Sequence, residues 1–140
     1  MNKEQIIEFI NKNPVCYLAT CQARQPHVRG MMTYKADKDG ILFHTGRPKD
    51  LCKQIAANPN VELCYFDPAT NTQVRVTGKA KMVEDLDLKK QIVRERTFLQ
   101  PVIERFGYDV LAVFRVIGDE AVVWTFATNL EPKQPIKLSP

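Results

Sequence analysis

Arg29, His44, Thr45, Arg47 and Lys49 are side-chain types that grip a phosphate, and they fall close together in a chain of 140 residues. A phosphate monoester carries about two negative charges and three acceptor oxygens. It is best met by cationic donors, a hydroxyl and the free N–H groups of a helix start. The stretch from Gln25 to Lys53, QPHVRGMMTYKADKDGILFHTGRPKDLCK, offers all of these. Arg29 is expected on one strand of a hairpin and Thr45 near the end of the other. Arg47 stands just before a helix, and Lys49 falls in its first turn. The same spacing also suits solvated charges at a strand end. Asp50 shares that turn, where a carboxylate interacts favourably with the helix dipole. Beyond the anion, Gly30 would let a flat group approach the backbone. Met31 and Met32 offer soft, adaptable surface. The run Arg29-Gly30-Met31-Met32-Thr33 reads equally as an ordinary core strand.

The elements that must position these residues can be read from periodicity. Ile6, Phe9 and Ile10 predict an apolar helix face over Lys3 to Lys12, with Asn2 as cap and Asn13-Pro14 as stop. Val15 to Thr20 reads as a strand buried on both faces. His27 to Lys35 is the next strand, and Gly40 closes a hairpin to Ile41–Thr45. A helix follows from Pro48, with Leu51, Cys52, Ile55 and Ala56 as its apolar face. Val61 to Phe66 is a strand. Gln73 to Met82 alternates strictly, with Val74, Val76, Gly78, Ala80 and Met82 facing in. Asp85 caps a helix to about Arg96, and Phe98 to Phe106 marks a short one closed by Gly107. Val110–Ile117 and Ala121–Phe126 are expected as a final hairpin about Gly118-Asp119-Glu120, before an extended proline-bearing tail. The class is mainly β (α+β): about seven strands and three or four short helices in one domain, 1–140. Short links predict an antiparallel sheet, and seven such strands a closed or nearly closed barrel.

Composition narrows the function classes. Apolar residues make up 44% and charged residues 26%, as in ordinary globular domains. The net charge of +4, from 20 basic and 16 acidic residues, suits an anionic small ligand. It is far weaker than a nucleic-acid footprint, and no aromatic-basic interleaving supports base stacking. No apolar run approaches the roughly 20 residues that span a bilayer. Cys16, Cys21, Cys52 and Cys64 form no Cys-x-x-Cys and follow no secretion signal, so they are expected as reduced thiols of a cytoplasmic protein. They and the two histidines give no metal-ligand spacing.

QPHVRGMM, ILFHT, KQIAANPNVEL, QVRVTGKA and VVWTF, in this order from about Val15 to Phe126, resemble the pyridoxamine 5′-phosphate oxidase-like proteins. The resemblance implies an antiparallel six- to seven-stranded FMN-binding split β-barrel. It implies a homodimer with FMN at the subunit interface. By position, Arg29 to Tyr34 would line the flavin: Arg29 on the phosphate, Met31 and Met32 behind the ring, Gly30, Thr33 and Tyr34 along the strand. His44 and Thr45 match the family's aromatic-hydroxyl pair beside the ribityl-phosphate. Gln73 matches a glutamine reaching in from the partner, and Trp124 a tryptophan near the flavin. The chain has Asp50 and Leu51 where relatives often carry a basic pair, so Lys49 with Arg47 or Lys53 is expected to take the phosphate. True oxidases also carry an Arg-x-His element after the tryptophan. This chain reads ATNLEPKQPIKLSP there, which speaks against vitamer oxidation.

The expected function is an FMN-dependent oxidoreductase with a small-molecule electron donor or acceptor, and with no nucleic-acid or membrane partner. Electrons would pass through the flavin ring, and the protein would supply placement and hydrogen bonds. His27 is a candidate for acting on substrate, against an ordinary strand-surface histidine. The alternatives are a flavin-holding stress protein or redox sensor without turnover, or a split barrel using deazaflavin F420 or haem.

Overall fold

A computed structural model describes residues 1–140. Helix α1 (Lys3–Lys12) leads into β1 (Val15–Gln22), β2 (Gln25–Met32), β3 (Lys35–Asp37) and β4 (Gly40–Gly46). Then come α2 (Asp50–Ala57), β5 (Asn60–Asp67), β6 (Thr72–Met82), α3 (Leu86–Glu95), α4 (Gln100–Phe106), β7 (Leu111–Thr125) and the short β8 (Ile136–Lys137). One antiparallel sheet runs β2-β1-β5-β6-β7-β4-β3, with β8 added on β7. This is the mainly β, split-barrel architecture that the sequence predicts.

The two ends of that sheet are consecutive in the chain. At Thr33 the backbone N–H still bonds to Pro14 O, 2.8 Å away; at Tyr34 it bonds to Leu42 O, also 2.8 Å. The chain therefore crosses from one sheet edge to the other within one peptide unit. The expected continuous strand His27–Lys35 is broken there. Arg29 and Thr45 consequently do not lie on two paired strands: β2 pairs with β1, and β4 pairs with β3 and β7. Past Leu42 the upper half of β4 has no partner on the β2 side. That gap is the split.

Alternation decides the core. Leu18, Leu63, Val74 and Val76 point into the barrel with Phe43 and Phe114, whose rings stack 5.3 Å apart. Ile6 and Ile10 of α1 plug one end, and Leu51 and Ile55 of α2 cover another part. A second cluster lies outside, where α3 brings Ile92 and Val93 onto Leu42, Leu111 and Val113. Strands β4 and β7 are thus covered on both faces. The edge of β3 is capped by Asn11, which bonds both the N–H and the C=O of Ala36 at 2.9 and 2.8 Å.

Several sequence expectations need correction. β1 is not buried on both faces; Val15 and Tyr17 point outward, Tyr17 being 60% exposed. Helix α2 starts at Asp50, with Lys49 at its cap and Pro48 ahead of it, and its buried polar position is Gln54 while Ala56 is exposed. Met82 is exposed at the end of β6. There is no final hairpin. Leu111–Thr125 is one strand, paired with β6 from Phe114 to Thr125, and Gly118-Asp119-Glu120 is a β-bulge, since Thr77 opposes Glu120 while Gly78 opposes Gly118. A bulge uses the same permissive residues as a turn but leaves the ladder running.

The bulge requires glycine at position 78. A Cβ on Gly78 would collide with the Ile117 carbonyl oxygen and press on Gly118 Cα at 3.0 Å. Gly78→Ala should therefore destabilise the fold by about 1–3 kcal/mol, the usual cost of overpacking. Urea unfolding of both proteins measures this; equal midpoints and slopes would contradict it.

Candidate functional site

The split opens into a cleft of about 900 Å³. One wall is β2 from His27 to Met32, another the end of β4 with His44 and Thr45, and the third the start of α2 with Lys49, Asp50 and Gln54. Arg96, Phe98, Leu99 and Val102 form the roof. Because β2 pairs only with β1, alternate backbone N–H and C=O groups along its other edge face the cleft.

Arg29 reaches across the inside of β1. Its guanidinium donates to Leu18 O (3.2 Å), to Thr20 Oγ1 (2.9 Å) and to Gln54 Oε1. These anchors are all neutral, so they orient the cation without cancelling its charge. Partial burial lowers the Arg29 pKa from its ordinary value. Lys49 sits at the α2 cap with no side-chain bond to the helix. The N–H groups of Asp50 and Leu51, at the first helical positions, have no intrahelical acceptor.

On the opposite side Arg96 donates to His44 Nε2 and to Thr33 O, both at 2.8 Å. Its guanidinium also lies 5.3 Å from the centre of the Tyr34 ring. A guanidinium can only donate, so His44 Nε2 must be the accepting nitrogen and the ring proton belongs on Nδ1. Burial, then the charges of Arg96 and Lys49, push the His44 pKa down to about 4. His44 is a neutral imidazole here. None of Arg29, Lys49 and Arg96 forms an ion pair, whereas Arg47 is paired with Glu84 at 3.1 Å.

The structure gathers His27, Arg29, Gly30, Met31, Met32, His44, Thr45 and Lys49 in one cleft. It places other expected residues elsewhere. Thr33 turns its hydroxyl inward to Tyr65 OH at 2.7 Å and offers only its carbonyl to Arg96. Tyr34 points away to Glu95 and Gln91. Arg47 donates to Asp109 O (2.6 Å) and Glu84, beneath α3, and does not line the cleft. Lys53 is exposed and does not line the cleft. Gln73 and Trp124 are register partners on β6 and β7, outside the cleft of their own chain, and Trp124 Nε1 donates to Asn129 Oδ1 at 2.6 Å.

Sequence reasoning missed Arg96, Gln54 and Thr20. Arg96 had no local signal, because it meets Thr33 across 63 residues of sequence. Gln54 had one: a polar residue between the apolar positions Leu51 and Ile55 on one helix face. No group of three or more His, Cys, Asp or Glu side chains is assembled as a metal site. No helix is long and apolar enough to cross a membrane.

The antiparallel split barrel is the fold of a known family. The family model described as pyridoxamine 5′-phosphate oxidase matches residues 3–128, and the chain belongs to that family. A pyridoxine/pyridoxamine 5′-phosphate oxidase of Anaeromyxobacter dehalogenans is 39% identical over 71 residues, 50% of this chain and 36% of that protein. General stress protein 26 of Bacillus subtilis is 30% identical over 95 residues, 64% of this chain and 66% of that one. The chain thus matches about a third of the oxidase's length. Among solved structures, a NimC/NimA-family protein of Clostridium acetobutylicum superposes with a TM-score of 0.75 at 21% identity, covering 96% of this chain and 91% of that one. A pyridoxamine 5′-phosphate oxidase-related, FMN-binding protein of Nostoc punctiforme gives 0.65 at 16% identity, covering 94% and 87%. At these identities the two structures establish the fold.

The depressed His44 pKa has a consequence for stability. Between pH 6.5, its ordinary value, and about 4, the unfolded chain takes up a proton that the folded chain refuses. Stability should therefore fall as pH falls through that window, by on the order of 3 kcal/mol from this group. His44→Gln should flatten the acid arm of a plot of unfolding free energy against pH. An unchanged arm would mean that His44 is not held neutral.

Proposed function

We propose that this chain binds FMN in the cleft and acts as a flavin-dependent oxidoreductase, as a homodimer. The observation that carries the reading is that Arg29, Lys49 and Arg96 line one cleft with no carboxylate paired to any of them. Half-buried cations such as Arg29 and Arg96 without counter-ions are costly, and a phosphate dianion offsets that cost. The residues present fit the group. Arg29, Lys49 and the N–H groups at the start of α2 suit the phosphate. The free edge of β2 suits a flat ring that hydrogen-bonds to backbone. An FMN-binding relative on the same fold supports the choice of cofactor.

When bound, FMN supplies the two-electron chemistry. The chain's own residues do the rest. Arg29 orients the phosphate because Leu18 O, Thr20 and Gln54 fix its plane. Neutral His44 keeps a donor at Nδ1 while Arg96 holds the ring. Phe98, Leu99 and Val102 narrow water access from above.

The homodimer has its own support. The outer face of β2, β1 and β5 exposes Val15, Tyr17, Val28, Met32 and Phe66, with Val28 at 69%. Their register continues through Phe66 opposite Gln73 and Gln73 opposite Trp124. A contiguous apolar face of this kind marks an interaction surface. A second copy on it would cover these side chains and carry Gln73 and Trp124 beside the neighbouring cleft. His44 does not suit a haem ligand, since Arg96 already uses its Nε2 lone pair.

Two features favour flavin holding without turnover: a general stress protein is among the relatives, and residues 127–140 contain no Arg-x-His element. NADH and NADPH separate the two readings. Bleaching of the bound flavin by either, with catalytic re-oxidation by an added acceptor, supports the oxidoreductase.

Titration with FMN should quench its fluorescence and yield a yellow protein with a mass twice 16.0 kDa in solution. A colourless monomer would sink the proposal. Arg29→Ala and Lys49→Ala should each weaken FMN binding by about 1.5–3 kcal/mol, the range for a hydrogen bond to a charged group. Unchanged affinity in both would move the phosphate elsewhere.

A further inference from the structure

Gln54 is the only polar residue among the buried positions of α2, and it is 5% exposed. A glutamine there costs free energy unless its amide is satisfied. Its oxygen is. Thr20 Oγ1 donates to Oε1 at 2.6 Å, and the Arg29 guanidinium donates to the same atom. The assignment of oxygen and nitrogen follows from chemistry. Arg29 carries only donors, so a flipped amide would set N–H₂ against a guanidinium. Thr20 accepts from Arg29 at 2.9 Å, which leaves its own proton free for Gln54. In this triangle Arg29 donates twice, Thr20 accepts once and donates once, and Gln54 Oε1 accepts twice.

The nitrogen is left over. Gln54 Nε2 donates to no protein acceptor, and the only fully buried side-chain polar atom without a partner is Arg115 Nε. The amide nitrogen must therefore reach open space, and Gln54 forms part of the cleft wall beside Arg29 and Lys49.

The geometry points to Gln54 as an anion-binding residue of the cofactor site: Oε1 locks Arg29 in place, and Nε2 donates to the phosphate. This rests on the reading of the cleft as an FMN site. Gln54 adds a neutral donor and costs the site none of its positive charge. It also explains why a polar side chain occupies an apolar helix stripe. Its oxygen faces the protein and its nitrogen faces the ligand.

The test compares FMN with riboflavin, which lacks the phosphate, in parallel fluorescence titrations of the full chain. Gln54→Glu keeps an oxygen against Thr20 and Arg29 but turns a second oxygen toward the phosphate. FMN affinity should fall at least tenfold, with riboflavin affinity unchanged. Gln54→Met removes both contacts without adding charge, and it carries the same comparison if the glutamate variant does not fold. An equal loss for FMN and riboflavin would reduce Gln54 to a structural role and overturn the inference. So would an unaltered FMN affinity in a folded variant. If the wild-type protein itself binds no FMN, the reading of the cleft falls first and this inference falls with it.

Discussion

The barrel cannot zip shut between β2 and β4, because the chain itself changes edges at Thr33–Tyr34. One N–H bonds to Pro14 on the first edge and the next to Leu42 on the last. A single peptide step cannot serve both edges along their whole length. The strands are joined at this end and diverge at the other, leaving β2 with one unpaired edge. An unpaired edge is normally a liability. Here it becomes the wall of a cleft. The same peptide ties the roof down, since Arg96 binds the carbonyl of Thr33.

Charge is handled in two contrasting ways around that cleft. Arg47 and Lys89 share Glu84, at 3.1 and 3.6 Å, and Arg47 also bonds Asp109 O. One carboxylate offsets part of their charge, and the two cations dock the α3–α4 segment onto the barrel. Arg29 and Arg96 are held by a carbonyl, a hydroxyl, an amide and a neutral imidazole. Neutral anchors fix direction and leave the charge to act on whatever enters. Arg47 on one side, and Arg29 and Arg96 on the other, thus differ both in place and in the charge of their partners. His44 is part of this scheme. Burial between two cations keeps it uncharged, so that it accepts from Arg96 instead of repelling it.

The outer face of the sheet complements the cleft. α3 and α4 cover β4 and β7, and nothing in the chain covers β1 and β2. Two of the apolar residues left there, Val28 and Met32, lie on the strand that walls the cleft. Alternation makes this unavoidable: if Arg29 and Met31 face inward, then Val28, Gly30 and Met32 must face outward. A partner on that face and a ligand in the split would therefore meet along one strand.

Local pattern was enough to establish most elements. The helix at Lys3–Lys12, its Asn2 cap, the alternation of β6, the cap at Asp85 and the positive φ of Gly40 and Gly107 all depend on neighbours a few residues away. So does the cluster around Arg29, His44, Thr45 and Lys49, whose order in sequence marks the family. Tertiary structure decided what local pattern leaves open. It turned Gly118-Asp119-Glu120 from a turn into a bulge, because β6 was long enough to pair on both sides of it. It withdrew Arg47 from the cleft by bringing Glu84 to it. It supplied Arg96, whose partners lie far away in sequence. The reason is physical: capping and periodicity are short-range, whereas the partner that cancels or spares a charge is chosen by which strands become neighbours.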